Sequence, residues 1–368
     1  MKRLLIVLIS ASMAIVSASA QAPKPSARPA TITSSTIPRT ADGKPDFTGN
    51  WTNATITPFE RVPNQPLIIT EEAAREMETS TRRALAAREE PGDTTSAAAP
   101  ATDAANQSQN PDVVAQFERR WQAGFGPVGG YNSFWVDTGE HFLRIDGKPR
   151  SSILIDPPDG RMPSMTSDAR ARAEAIAEER RKAGGEFDHP ELRPLAERCI
   201  MSFGNNAGPP MLPNYWYNNN YTFTQAGTQL AMLTEMVHDT RIVRIGGTHA
   251  PKNIRPWMGD SIGRWEGDTL IVETTNFHPQ HGFRGASENL KVTERFTMRD
   301  ANTILYKFIV EDPTTWTTTF SGELPFRRLP QGEAVYEYAC HEGNYALEGV
   351  LRGARAQERE ALRKRSQE

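Results

Sequence analysis

Val292-Thr293-Glu294-Arg295-Phe296-Thr297-Met298, Asp300-Ala301-Asn302 and Thr303-Ile304-Leu305-Tyr306-Lys307-Phe308-Ile309-Val310 follow one another as strand, turn and strand. Side chains alternate across a strand, and the imperfect alternation of the second run suits a strand with one half-wet face. The same texture extends outward from Tyr221 to Tyr338, through Gln229–Leu233, Arg241–Ile245, Arg264–Trp265, Thr269–Thr275 and Thr315–Phe320. Gly246-Gly247 and Gly267-Asp268 read as further hairpin turns between these runs. Successive strands with short turns pair antiparallel. The expected fold is therefore mainly β, an antiparallel up-and-down barrel or curled sheet with helical insertions.

The insertions lie upstream. Thr70 is a fitting N-cap for a helix running to about Glu90, with Glu71 and Glu72 at its positive end. Residues 167–183 form a second, strongly polar helix, capped by Ser167 or Asp168 and stopped by Gly184-Gly185. A short helix is expected from Pro111 to Gln122, and short β-type runs at Phe134–Val136 and Ser152–Ile155. The Ala/Thr/Ser/Gln tract near 91–110 has no periodic apolar face and is expected to be a disordered insertion or a surface loop. The stretch from Ala354 reads as a charged helix or tail.

Residues 1–20 carry Lys2 and Arg3, an apolar run from Leu4 to Val16 and Ala18-Ser19-Ala20, the pattern of a cleaved signal peptide. The apolar run is shorter than the roughly 20 residues a spanning helix needs, so no stable membrane anchor is expected. The expected order is a signal peptide, a flexible leader over 21–45, a single β-rich domain over 46–355 and a charged tail over 356–368, in a periplasmic or secreted protein. A net charge of -3 across 368 residues, without a sustained basic stripe, argues against nucleic acid as a partner. The two cysteines, Cys199 and Cys340, either form a disulfide in an oxidising compartment or remain two buried thiols.

Dinucleotide, P-loop, nucleophile-elbow, zincin and EF-hand signatures are absent, and no cofactor is expected. What remains is polar and aromatic clusters at strand ends. Tyr215-Trp216-Tyr217-Asn218-Asn219 offers flat rings and amides suited to a sugar or aromatic ligand, or else packs a domain edge. Glu235-Met236-Val237-His238-Asp239-Thr240-Arg241 brings a proton carrier next to a carboxylate, although neighbours on a strand face opposite ways. Trp257-Met258-Gly259-Asp260-Ser261-Ile262-Gly263-Arg264-Trp265-Glu266-Gly267-Asp268 has carboxylates too sparse for a calcium loop, and no metal site is expected. Tyr338-Ala339-Cys340-His341-Glu342-Gly343-Asn344 sets a second histidine beside the possible disulfide, either as a rigid catalytic group or as part of a helix cap.

The last three of these motifs occur together with Tyr131-Asn132-Ser133-Phe134-Trp135 and Leu154-Ile155-Asp156-Pro157-Pro158-Asp159-Gly160-Arg161. With them, most of residues 45–355 resembles a large family of secreted bacterial proteins that no activity defines. A weaker resemblance, carried by Gly49-x-Trp51, is to lipocalin-like barrels and implies a barrel only.

Two functions are expected from these readings. One is an exported hydrolase or lyase using acid–base chemistry on a small organic or carbohydrate substrate. His238 and His341 would carry protons, with Asp239 and Glu342 as acidic partners and Arg241 or Arg264 as anchor for an anionic group. Trp257, Tyr217, Asn219 and Asn344 would contact the substrate. The other is a non-catalytic periplasmic protein that holds an aromatic or hydrophobic ligand inside the barrel.

Overall fold

The computed structural model describes residues 36–89, 137–202, 207–214 and 218–367. The signal-peptide reading, most of the leader, the insertion near 91–110, the short helix and strand expected over 111–136, and Tyr215–Tyr217 fall outside them.

Among the described residues, twelve strands are present: β1 (Gly49–Thr52), β2 (Arg144–Ile145), β3 (Lys148–Pro149), β4 (Leu154–Asp156), β5 (Asn220–Ala226), β6 (Gln229–Thr234), β7 (Thr240–Ile245), β8 (Asp260–Glu266), β9 (Thr269–Thr275), β10 (Lys291–Asp300), β11 (Thr303–Glu311) and β12 (Phe320–Arg328). β1 and then β5 through β12 are neighbours in that order, and β12 pairs back onto β1, which closes a nine-strand barrel. β12 divides its second edge, giving Arg327 and Arg328 to β1 and Ser321 and Gly322 to β4. Closure leaves the barrel strands without a long unpaired edge.

The barrel is mixed, because β7 and β8 run parallel. Gly246-Gly247 is therefore not a hairpin turn. It opens a crossover, Gly246–Gly259, that carries the chain back along the barrel, since parallel neighbours cannot be joined by a tight turn. Asp260 fastens that crossover by accepting hydrogen bonds from Arg244 (2.8 and 3.1 Å), the Ala250 amide (2.9 Å) and His249 (2.8 Å). The strand expected at Thr315–Phe320 is mostly a turn. Asp312 accepts from the Thr314 amide and from the hydroxyls of Thr314 and Thr315, and this competes with strand pairing until Phe320.

Among the described residues, three α-helices lie outside the barrel: α1 (Glu71–Glu89), α2 (Ser167–Ala183) and α3 (Tyr345–Arg365). Thr70 caps α1 through the Ala73 amide. The cap of α2 is Thr166, one residue before the expected position, because its hydroxyl reaches the Ala169 amide at 3.0 Å. α3 begins at Tyr345, well before Ala354, since the Asn344 side chain accepts from the Leu347 amide.

The interior is full. Trp51, Tyr221, Phe223, Phe296, Tyr306, Phe308 and Phe326 are all at 0% exposure, and Tyr306 lies 5.0 Å from Phe296 and 5.4 Å from Phe326 between ring centroids. The Gly49-x-Trp51 pattern sits in β1. A Cβ on Gly49 would meet the Arg328 guanidinium at 2.0 Å, and that guanidinium stacks 4.2 Å over the Trp51 ring. Only glycine lets the last strand's arginine cross to cover the first strand's tryptophan.

Amid these rings lies one ion pair. Arg241 on β7 donates to both oxygens of Glu294 on β10, Tyr306 donates to the same carboxylate at 2.9 Å, and both charged residues are buried. The buried segment Ala207–Pro213 descends from one rim, where the Met211 amide donates to the Tyr306 hydroxyl at 2.9 Å and its sulfur lies 3.2 Å from Arg241. Removing one member of such a pair strands the other charge in a medium of low polarity. Arg241→Met alone is expected to cost about 3–5 kcal/mol in chemical denaturation, and Arg241→Met with Glu294→Leu to recover most of that loss.

Candidate functional site

β6 and β7 are joined by Glu235–Asp239 at the rim where Ala207–Pro213 enters, and this connection carries the first expected site. Val237 and His238 take φ values of 60° and 52°, a left-handed pair that is uncommon outside glycine and costly for a β-branched residue. The turn holds His238 away from the strand plane. Its Nδ1 lies 3.0 Å from the Tyr338 carbonyl. A carbonyl can only accept, so Nδ1 carries the proton of the neutral ring and Nε2 presents a lone pair.

Tyr338 belongs to the extended segment leading to Cys340, and Cys340 is bonded to Cys199 with a Cα separation of 5.7 Å. The disulfide is thus formed, and Met236 and Val237 pack against it. His341 follows directly. Its ring centroid lies 6.4 Å from that of His238, tilted by 49°, and both imidazoles are exposed. The two histidines therefore share one patch of the rim, with room for a substrate atom between them.

The carboxylates have separate assignments. Asp239 accepts from the Ser202 amide at 2.9 Å. Burial pushes its carboxyl up to about 6, against the hydrogen bonds from Ser202 and the His238 charge, which favour ionisation. Glu235 accepts from Asn220 at 2.9 Å, and burial raises its pKa as well. Glu342 is exposed beside His341.

Other expected contacts are placed elsewhere. Arg241 is committed to Glu294 inside the barrel and cannot anchor an anion at the rim. Arg264 is exposed on the outer face of β8 toward the opposite rim, paired with Glu266 at 3.0 Å. Asn219 is fully buried, accepting from the Asn214 amide at 2.7 Å and donating to the Asp137 carbonyl at 2.8 Å. Asn344 caps α3 and donates to the Glu197 carbonyl at 2.8 Å, so its amide ties the helix to the disulfide region. Tyr217 lies outside the described residues. Trp257 stacks on His278 at 3.8 Å, on the crossover just before β8.

Trp257 leads to a residue the sequence reading passed over. His281 lies in the connection after β9, its ring 4.8 Å from Phe277. Burial lowers its pKa to about 4, opposed by a hydrogen bond to the Trp257 backbone. The available signal was Phe277-His278-Pro279-Gln280-His281, two histidines across a proline just beyond a strand. Among the described residues, no group of three or more His, Cys, Asp or Glu is placed to hold a metal ion.

Two stability outcomes follow from these placements. The disulfide closes a loop with a sequence separation of 141 residues. Its reduction is expected to lower unfolding free energy by about 5 kcal/mol on loop entropy, read as a drop in denaturation midpoint. His281 titrates near 4 when folded and near 6.5 when unfolded, so the unfolded chain takes up the proton first. Stability should therefore fall by about 3 kcal/mol as pH drops through that window, and His281→Phe should flatten the dependence.

No family model matches the chain, and no curated protein or solved structure matches it.

Proposed function

We propose that this protein is an exported acid–base enzyme, a hydrolase or lyase, working on a small organic or carbohydrate substrate at the rim bearing His238 and His341. The observation that carries the reading is the two imidazoles 6.4 Å apart, one on a strained turn and the other next to a disulfide. Strained backbone persists only where its surroundings enforce it, and it gathers at functional sites. Fixed proton carriers on either side of a reacting atom are what general acid–base catalysis needs.

The roles follow from the hydrogen bonds. His238, with Nδ1–H held by the Tyr338 carbonyl, takes a proton at Nε2. His341, when protonated, returns one to the leaving group. Asp239, with its carboxyl near 6, exchanges protons with the rim close to neutral pH. Tyr336 and Tyr345, 78% and 80% exposed on the segments flanking His341, offer flat faces on which a sugar ring can stack.

Export is supported by the N-terminal pattern and fits the disulfide, which persists in an oxidising compartment. The sequence motifs support membership of the secreted bacterial family they resemble. A ligand carried inside the barrel has the filled interior against it.

The test is turnover of a panel of 4-nitrophenyl esters and glycosides and uronic-acid polysaccharides by the full chain. At least one should be converted, and His238→Ala and His341→Ala should each lower kcat/KM about a hundred- to ten-thousand-fold with melting temperature unchanged. Full turnover by both variants, or no conversion of any panel member by the parent protein, would overturn the proposal.

A further inference from the structure

Residues 336–344 bring His341 to His238, yet they belong to no strand or helix. Tyr336, Glu337, Ala339, His341, Glu342 and Gly343 are exposed. Noncovalent ties to the rest of the chain include the Tyr338 carbonyl at His238, the Tyr336 amide donating to the Glu235 carboxylate and the Asn344 side chain donating to the Glu197 carbonyl. Tyr338 and Cys340 pack on a small apolar cluster of Cys199, Met236 and Val237, which is separate from the cluster that fills the barrel. A segment with so little buried apolar surface opens at far lower cost than a packed core does. The disulfide supplies what packing does not.

The barrel is closed by other means. β12 pairs with β1, and the packed rings and the Arg241–Glu294 pair hold an interior that neither cysteine enters. Breaking the Cys199–Cys340 bond would therefore release the rim and spare the barrel.

We propose that this bond is a redox switch for the rim: with both thiols reduced, residues 336–344 are loose and His341 is apart from His238, and oxidation after export assembles the pair. The closing step is thiol–disulfide exchange with an oxidant that itself carries a disulfide. Cys340 is half-buried whereas Cys199 is 5% exposed, so the Cys340 thiolate makes the first attack. One sulfur of the oxidant leaves as a thiolate, and the other stays bonded to Cys340. The Cys199 thiolate then attacks the Cys340 sulfur and expels the oxidant's second sulfur. Two protein thiols become one disulfide, the oxidant's disulfide becomes two thiols, and the two protons pass to the oxidant's sulfurs. A dithiol reductant reverses the sequence. The effect on turnover rests on the acid–base reading, whereas the opening of the segment does not.

Hydrogen exchange followed by mass spectrometry on the full chain, before and after reduction with dithiothreitol, tests the switch. Reduction should raise exchange across residues 235–239 and 336–344 about tenfold or more, while β9, β10 and β11 keep their protection. Re-oxidation with oxidised glutathione should restore both segments. A double variant, Cys199→Ser with Cys340→Ser, should exchange like the reduced protein and be indifferent to dithiothreitol. Reduction that leaves residues 336–344 protected, or that strips β9, β10 and β11 equally, overturns the proposal. So does a double variant whose rim exchanges like that of the oxidised protein. Turnover is the second readout: reduction should lower kcat/KM about a hundredfold for any substrate the parent protein converts. A parent that converts nothing sinks the acid–base reading, and the exchange result then decides the switch by itself.

Discussion

The Arg241 guanidinium and the Glu294 carboxylate meet inside the barrel, where neither reaches water. Taking two charges out of water costs several kcal/mol for each, and further hydrogen bonds offset part of that cost, although the Arg241 Nε–H is left buried without a partner. Tyr306 and Thr274 supply those bonds, from β11 and β9. One interaction thereby links β7, β9, β10 and β11 in a fixed register. Arg241 stands two residues beyond Asp239, so the pair that pins β7 also pins the turn bearing His238. The arginine's part in the proposed chemistry is positional, through the strand it anchors.

The rim is assembled by a second constraint, the Cys199–Cys340 bond. It joins the segment before Ala207–Pro213 to the segment after the last strand. Asn344 reinforces the junction from the helix side, and the Tyr338 carbonyl reinforces it from the His238 side. Two histidines that no local element brings together thus share a surface. Ser202 extends this assembly, since both its backbone amide and its hydroxyl hold Asp239 while the hydroxyl also accepts from the Ala207 amide.

Burial acts on the ionisable groups of this rim in opposite senses. It favours the neutral form of each, which raises the Asp239 carboxyl and lowers the His281 imidazolium. Asp239 holds its proton more tightly folded than unfolded, so its contribution to stability declines as pH rises from about 4 to about 6. His281 contributes in the other direction over an overlapping window. Asp260 differs again: Arg244, the Ala250 amide and His249 outweigh its burial and hold it down to about 2, so its clamp on the crossover is lost only as pH falls below about 4.

Local chemistry made much of the architecture legible. The turn at Asp300-Ala301-Asn302, the alternation in Val292–Met298 and the Thr70 cap each depend on residues within a few positions, and each stands in the structure where the sequence places it. The crossover at Gly246-Gly247 was not legible, because a glycine pair permits a hairpin or an exit equally and strand partners decide between them. Arg241 shows the same limit. Its place on a strand is local information, whereas its facing inward toward Glu294 depends on the register of a strand far along the chain. By itself the sequence determined most of the strands, several turns, the Thr70 cap and the residue types available for proton transfer. The tertiary structure alone decided that His238 and His341 meet, that Arg241 and Asn219 are spent in the interior and that the pKa of His281 is lowered, because distance, burial and dielectric environment are set by contacts between segments remote in sequence.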